Sequence, residues 1–251
     1  MKLSAQQILD PNSGLFLVNK PKEWTSHDVV NFVRRRFGFK KVGHCGTLDP
    51  NATGLLILVV GHATKVADFL AKEDKVYRTT MTLGSETDSH DADGEVTAEK
   101  PWDHITEERV RETLNDFIGH QEQVPPMVSA LKKNGKKLYE LARKGVTVER
   151  EARKMVINSI DVHEIALPNV DFTVSCSKGT YVRTLCHDIG HELESAAHMT
   201  ELVRLKSGGF SLEGALEIDT MKTWEREELM EHILPLHQFL ADRTAQDAQE
   251  F

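Results

Sequence analysis

The sequence lacks the features that mark secreted, membrane-spanning or disulfide-rich proteins. Its three cysteines, Cys45, Cys176 and Cys186, form no C-x-x-C pair, so neither a disulfide framework nor a zinc ribbon is indicated. The longest apolar run, residues 55–60, is too short to cross a bilayer. Residues 1–20 show no signal-peptide pattern. We therefore expect a protein of the reducing cytoplasm that does not associate with membranes.

Positive charge is scarce overall, since the net charge is −8, but it is unevenly distributed. Residues 128–154 carry nine basic and three acidic side chains, whereas residues 213–251 carry three basic and ten acidic ones. A solvated surface explains such clusters, and so does a basic surface that binds a polyanion. If the partner is a nucleic acid, the candidate phosphate contacts in this segment are Lys132, Lys133, Lys136 and Lys137.

Hydrophobic patterning predicts strands and helices in mixed order. We expect strands at 14–20, 55–60, 76–83 and 170–176, and helices at 26–37, 63–70 and 107–117. Ser26 is expected to be the N-cap of the first of these helices, and residues 179–193 are expected to form a strand that turns into a helix. Because no regular βαβ alternation is present, the pattern predicts an α+β fold with a mixed, largely antiparallel sheet flanked by helices. We expect one catalytic domain over residues 1–212 and a short acidic extension over 213–251.

Residues 41–58, K-V-G-H-C-G-T-L-D-P-N-A-T-G-L-L-I-L, combine three glycines and an Asp-Pro step with a following apolar strand. Asp49 precedes Pro50, so its backbone is pushed out of the helical region. A rigid loop of this kind can hold one carboxylate at the mouth of a cleft. Asp49 could equally be a residue that only caps a turn.

The sequence G-H-C-G-T-L-D-P-N-A-T-G-L-L closely resembles the signature G-H-x-G-x-L-D-P-x-A-x-G-x-L of the TruB family, the bacterial transfer-RNA pseudouridine-55 synthases. That family also includes the catalytic subunit of guide-RNA pseudouridylation particles. Further family-like elements follow in family order over residues 14–212. They are L-V-N-K-P at 17–21 with T-S at 25–26, K-V-Y at 75–77, L-G-S-E-T-D at 83–88, D-A-D-G at 91–94, V-P-P at 124–126 with S-A at 129–130, G-T-Y-V-R-T-L at 179–185, and A-H at 197–198 with Leu202, Arg204 and Phe210.

The resemblance implies a pseudouridine synthase fold and a role for each matching residue. Asp49 aligns with the catalytic aspartate, and Arg183 aligns with the arginine that pairs with it. Tyr77 aligns with the tyrosine that stacks on the target base and helps to remove the C5 proton. His44 aligns with the histidine that supports the RNA. Tyr181 and Leu202 align with residues that line the uracil pocket. Read without the resemblance, the two tyrosines and Leu202 are typical core residues.

The implied reaction explains why few groups suffice. Pseudouridine forms when the N1–C1′ bond breaks, the uracil rotates and C5 joins C1′. No atom is gained or lost, so the reaction requires neither a redox cofactor nor an energy donor. Because no metal or dinucleotide motif appears in the sequence, we expect no cofactor and no metal. The carboxylate could attack the sugar, attack the base or remove the C2′ proton. The base must leave its stack, which costs a few kcal/mol, and a stacking tyrosine offsets part of that cost.

The sequence departs from the family pattern in two places. Glu23 stands where the K-P-x-G-x-T-S element has glycine. The acidic extension is too short for the PUA domain that many members carry, so we expect recognition mainly of the T-arm of transfer RNA. We also expect a monomer. The basic segment near 124–154 is expected to be the insertion that grips this RNA.

Two other enzyme classes and one binding class compete with this hypothesis. A hydrolase would need a second catalytic group beside Asp49, and a deaminase built on His44 and Cys45 would need H-x-E and P-C-x-x-C elements; the sequence shows neither. A transfer-RNA chaperone would need no catalytic groups, although it could act alongside catalysis.

Overall fold

The computed structural model describes residues 3–247 apart from 130, 134 and 143. Ala130 of the S-A element and Arg143 of the basic segment therefore lie outside the described residues. The strands are β1 (Gly14–Lys20), β2 (Val42–His44), β3 (Thr53–Val60), β4 (Lys75–Leu83), β5 (Ser85–Thr87), β6 (Val96–Glu99), β7 (Gly119–Gln123), β8 (Lys132–Lys133), β9 (Lys136–Lys137), β10 (Arg153–Ala166), β11 (Asn169–Cys176), β12 (Ala197–Ser207), β13 (Phe210–Ser211), β14 (Leu216–Glu217) and β15 (Leu234–Pro235). The α-helices are α1 (Ala5–Ile8), α2 (Ser26–Arg36), α3 (Ala67–Leu70), α4 (Glu107–Asp116), α5 (Leu138–Ala142), α6 (Val182–Glu192), α7 (Ile218–Thr223), α8 (Arg226–Glu231) and α9 (Leu236–Asp247), and a 3-10 helix covers Gly61–Val66.

The chain forms two compact units, the first from residues 1–73 and 203–251 and the second from residues 74–202. In the first unit, β1 pairs antiparallel with β3 over its whole length and parallel with β14. The hairpin partner of β3 is β2, and the last part of β12 runs parallel to β3. In the second unit, β4, β11, β10 and β7 pair antiparallel in that order.

The core of the first unit lies on both faces of β1 and β3. Leu56 and Leu58 pack in one apolar cluster, whereas Leu55 and Ile57 pack in another. Successive side chains of a strand point to opposite faces, so a strand that is covered on both sides becomes a continuous apolar run. The covering elements include α2 and α7 on one face and α3 and α9 on the other.

The fold class is confirmed as α+β with mostly antiparallel pairing and flanking helices. The expected strands at 14–20, 55–60, 76–83 and 170–176 are all present. The expected helix at 63–70 begins instead as a 3-10 helix and becomes α-helical only at Ala67. Within the described part of the chain, no helix combines the length and apolarity needed to cross a membrane.

Two local predictions were wrong, each for a specific polar contact. Thr25, not Ser26, is the N-cap of α2, because its side chain accepts from the backbone N–H of Asp28 in a capping box. Residues 179–181 form no strand, because the side-chain amide of Gln123 accepts from Tyr181 N (2.8 Å) and donates to Tyr181 O (3.1 Å). A side chain thus replaces the neighbouring strand that the prediction required.

Candidate active site

Asp49 lies in the loop between β2 and β3, which form a hairpin. The ends of this loop are fixed by β-pairing of His44 with Leu58 and by a hydrogen bond from Cys45 N to Ile57 O of 2.9 Å. The backbone then turns tightly, since Ala52 N donates to Asp49 O at 3.1 Å. Asp49 therefore occupies the first position of a β-turn whose second residue is proline, the usual sequence for such a turn.

Arg204 ties the two ends of the loop together from β12. Its side chain is 1% exposed. Its Nε donates to Leu55 O at 2.6 Å and its Nη2 to Gly46 O at 3.2 Å. Charge-assisted hydrogen bonds of this kind are roughly twice as strong as neutral ones, so this buried guanidinium holds the loop in one conformation.

Ser26 fixes the middle of the loop from the first turn of α2. Its hydroxyl accepts from Leu48 N at 2.8 Å and donates to Leu48 O at 3.2 Å. Both backbone groups of the residue before Asp49 are thereby satisfied by one side chain. The position of the carboxylate then depends on the rotamer of Asp49 itself, with little freedom left in the backbone.

Lys20 holds the turn through hydrogen bonds to backbone carbonyl groups. Its ammonium, on a fully buried side chain, donates to the carbonyl oxygens of Pro21 (2.8 Å), Trp24 (2.6 Å) and Pro50 (2.9 Å). Burial lowers the pKa of Lys20 to about 8, and the negative charge of Asp49 opposes that shift. The Asp49 carboxylate thus offsets part of the cost of burying the Lys20 charge.

His44 ends β2 beside this loop and is partly buried. Desolvation lowers its pKa, so the imidazole is mostly neutral at pH 7. A neutral ring can stack or accept a hydrogen bond, but it contributes no charge to phosphate binding. Cys45, the next residue, is completely buried.

The remaining predicted residues lie in the second unit. Tyr77 is on β4, opposite Val174 of β11, and is 9% exposed. Leu202, on β12, is also 9% exposed. Both are therefore mostly buried, as the core interpretation of these residues requires, with a small accessible fraction.

Arg183 lies in the first turn of α6 and is 2% exposed. Its guanidinium donates to Ser89 O (3.0 Å) and to Val128 O (2.5 Å), and its Nη1 lies 3.9 Å from Asp91 Oδ2. Its carbon Cζ lies 5.6 Å from the ring centroid of Tyr181, close enough for a cation–π contact. The structure thus brings Tyr181 and Arg183 together. The pairing of Arg183 with Asp49 stays a prediction.

The basic segment leaves β7 at Gln123 and ends where β10 begins at Arg153. Within it, β8 pairs antiparallel with β9, which places Lys132 opposite Lys137 and Lys133 opposite Lys136. The backbone is anchored after the hairpin, because Leu138 N donates to Leu131 O at 2.8 Å and Leu138 is buried. Contact of these lysines with RNA stays a prediction.

Sequence reasoning named Lys20 and Arg204 only as motif matches and assigned them no role. Their contacts with the loop join residues as far apart as 46 and 204, which no local pattern reveals. The available signal was chemical, since Lys20 ends a largely apolar strand and Arg204 stands between Val203 and Leu205, and buried cations need partners.

The chain is similar in sequence to enzymes of one family. The family described as "TruB family pseudouridylate synthase (N terminal domain)" matches residues 34–182, and "tRNA pseudouridylate synthase B C-terminal domain" matches residues 183–241. The "tRNA pseudouridine synthase B" of Syntrophotalea carbinolica is 44% identical over 92% of this chain and 75% of its own length. That of Opitutus terrae is 45% identical over 90% of this chain and 93% of its own length.

A solved structure described as "Crystal Structure of a Cbf5-Nop10-Gar1 Complex" contains a chain with a TM-score of 0.70 and 28% identity. The match covers 91% of this chain and 61% of that one. The present chain therefore spans about three fifths of that longer protein.

Proposed function

Since the chain belongs to the TruB family of pseudouridylate synthases, we propose that it isomerises the uridine at position 55, in the T-loop of transfer RNA, with Asp49 as its essential carboxylate. As a member of this family the chain is a pseudouridine synthase, and its relatives in Syntrophotalea carbinolica and Opitutus terrae are named for transfer RNA. The proposal adds the target position and a role for each residue.

The observation that carries the assignment of Asp49 is the way its loop is held. Three side chains from three different elements hold the backbone of this loop. Ser26 bonds to both backbone groups of Leu48, and Lys20 donates to Pro50 O. Arg204 donates to Gly46 O before these residues and to Leu55 O after them. A loop that only connects two strands does not require buried cations to fix it. Preorganisation of a reacting group, in contrast, requires its backbone to be held in place before substrate binds.

The chemistry proposed for this carboxylate is limited to what the isomerisation needs. The glycosidic N1–C1′ bond breaks, the uracil turns within its pocket, C5 bonds to C1′, and the proton that leaves C5 is balanced by the one gained at N1. Asp49 serves this sequence as a nucleophile or as a base at C2′. In either role it acts as the ionised carboxylate.

The roles of the other residues follow the family alignment. Tyr77 is proposed to stack on the flipped base, which offsets part of the unstacking cost. Tyr181 and Leu202 are proposed to line the uracil pocket, and His44 is proposed to support the RNA from which the base has been removed. Arg183 is proposed to hold the Asp49 carboxylate ionised and oriented.

The test is Asp49→Asn, which keeps the volume of the side chain and removes its charge. We expect pseudouridine formation to be lost while RNA binding and thermal stability stay near those of the parent. Asp242→Asn, a change of the same kind at an exposed position of α9, is the matched control and should retain full turnover. Turnover by Asp49→Asn within about tenfold of the parent contradicts the assignment.

A further inference from the structure

A cluster of imidazole and carboxylate groups lies where α6 faces β5. Glu86 is on β5, and His187 and His191 are one turn apart on α6. One ligand atom from each of the three lies within 4.8 Å of the others. We propose that Glu86, His187 and His191 bind a divalent transition-metal ion of the zinc class.

The spacing of the two histidines is suited to a single ion. Residues four apart on an α-helix lie on the same face, and two histidines at this spacing are a common pair of metal ligands. Both Nε2 atoms approach the same carboxylate oxygen, since Glu86 Oε2 lies 2.6 Å from His191 Nε2 and 3.4 Å from His187 Nε2. The three donors therefore converge on one point.

A second carboxylate approaches the other ring nitrogen of His187. Its Nδ1 lies 3.2 Å from Asp188 Oδ1, whereas its Nε2 is the nitrogen that faces Glu86. A carboxylate on the far nitrogen is the usual support for a metal-binding histidine.

The ring of His187 is also held from the side. His90 stacks on it with ring centroids 4.0 Å apart and planes 15° from parallel, and His90 Nδ1 lies 3.2 Å from Thr184 Oγ1. The orientation of His187 is thus set before any ion binds, which lowers the entropic cost of binding.

The distances fit zinc with a small adjustment. Two ligands about 2.0–2.1 Å from a tetrahedral Zn²⁺ are separated by about 3.3 Å, close to the 3.4 Å between Glu86 and His187. The 2.6 Å contact with His191 is that of a hydrogen bond, so this ring must retreat by about 0.7 Å. The side chain of His191 is 43% exposed, so rotation toward solvent is open to it.

Two imidazoles and one carboxylate are the ligand set of zinc sites that keep a further position for water. The alkaline-earth cations prefer oxygen ligands, so Mg²⁺ should not compete. Arg183 lies one turn before His187 on α6, so an ion bound here would stabilise the helix that carries a proposed active-site residue. The sequence predicts no metal because it contains no metal-binding motif. Glu86 is too distant in sequence from His187 and His191 for the three residues to form such a motif.

The test uses the full chain without a histidine tag, purified in chelator and then freed of it. Calorimetric titration with ZnCl₂ should give one site per chain, and Co²⁺ should give the visible absorption band of tetrahedral coordination. Zn²⁺ should raise the thermal midpoint, since it binds the folded state, whereas Mg²⁺ should not.

Variants test whether Zn²⁺ binds at this cluster or at other histidines of the chain. His191→Ala and Glu86→Gln should each weaken Zn²⁺ binding at least tenfold, and His191→Cys, which supplies another zinc ligand, should restore it. His163→Ala is the matched control, because His163 is exposed on β10 and bonded only to Thr173 among the contacts described. The proposal is overturned if Zn²⁺ does not bind, or if it binds His191→Ala and Glu86→Gln as tightly as the parent.

Discussion

Gly54 is the residue on which the close approach of β3 and β12 depends. Its φ is +98°, and a Cβ there would collide with the backbone of Arg204, the residue whose side chain holds the Asp49 loop. Alanine at this position is therefore strained twice, once by its own backbone conformation and once by the neighbouring strand.

We expect Gly54→Ala to lower the free energy of unfolding by roughly 2–4 kcal/mol and to reduce turnover in the fraction that remains folded. Denaturant unfolding and single-turnover assays measure the two effects. Gly209→Ala is the matched control, because no heavy atom lies within 4 Å of the Cβ it would add. Equal stabilities for the two variants would contradict the close-packing argument.

At the scale of single residues, the sequence points to Asp49 as the candidate reacting group, but not to the side chains that hold its loop. Asp49 is singled out because its neighbours form a motif, and its role stays a prediction. Ser26 was assigned to helix capping, since serine at that position usually caps, yet its hydroxyl binds Leu48. Such a choice between two partners is decided by tertiary packing, which no local pattern contains.

Glu23 shows how a departure from a family pattern can be located in the fold. It stands at the glycine of the K-P-x-G-x-T-S element and has a φ of 69°. The left-handed conformation costs a non-glycine residue roughly 1–2 kcal/mol. A hydrogen bond from Glu23 N to Pro50 O of 2.9 Å holds this turn, so Glu23 adopts the backbone conformation that glycine favours.

At the scale of elements, strands were easier to predict than the way they end. The buried strands β1 and β3 are long apolar runs because both of their faces are covered. Residues 179–181, in contrast, belong to the segment predicted as a strand that turns into a helix. Their backbone partner is the Gln123 side chain, and a partner of that kind leaves no periodic signal.

The β8–β9 hairpin is the element in which we expect most of the phosphate contacts. Replacing Lys132, Lys133, Lys136 and Lys137 by alanine should weaken RNA binding and flatten its salt dependence. For every lysine–phosphate interaction that the substitutions remove, the slope of log K against log salt should fall by about 0.7–0.9. Binding titrations at several salt concentrations measure this slope.

The matched control removes the same charge from the first unit, by alanine at the exposed positions Lys65, Lys72, Lys206 and Lys222. If both variants flatten the slope equally, net charge explains the effect and the hairpin has no special role. If the hairpin variant keeps the parental slope but unfolds at lower temperature, the hairpin is structural.

The acidic residues 213–247 are integrated into the first unit at the level of their elements. Both β14 and β15 pair with β1, and Leu236 of α9 is fully buried in a cluster with Leu15 and Ile57. The charge composition of this segment indicated a solvated surface, but its apolar residues are spaced to cover a sheet. The amino-acid composition of such a segment reflects its exposed charged residues more strongly than its buried apolar ones.

For the whole molecule, the balance of the reaction leads to a prediction about chelators. An isomerisation that gains and loses no atoms needs no oxidant, reductant or energy donor, and the motifs around Asp49 include no metal-binding pattern, so EDTA should leave turnover unchanged below the melting temperature. Removal of the zinc proposed at α6 should lower only the thermal midpoint. A drop in turnover that zinc restores and spermidine does not would contradict this account, because spermidine replaces a cation that acts on RNA folding.

The distribution of charge over the whole chain predicts how much of transfer RNA the enzyme uses. The segment 128–154 is strongly basic, and the segment 213–251, with ten acidic and three basic residues, repels phosphate wherever RNA approaches it. The attractive charge thus comes mainly from residues 128–154 and from the five basic residues of 34–41, and we expect these two stretches to define a compact RNA footprint. We expect an isolated T-arm stem-loop to react almost as well as the whole molecule, with kcat/KM values that differ by less than about tenfold, or roughly 1.4 kcal/mol of transition-state stabilisation. Both substrates should be assayed at one fixed salt concentration, with a stem-loop that carries cytidine at the target position as the blank.

A preference of about a hundredfold for whole transfer RNA would require contacts beyond the T-arm, and the repulsion argued for residues 213–251 would then be wrong.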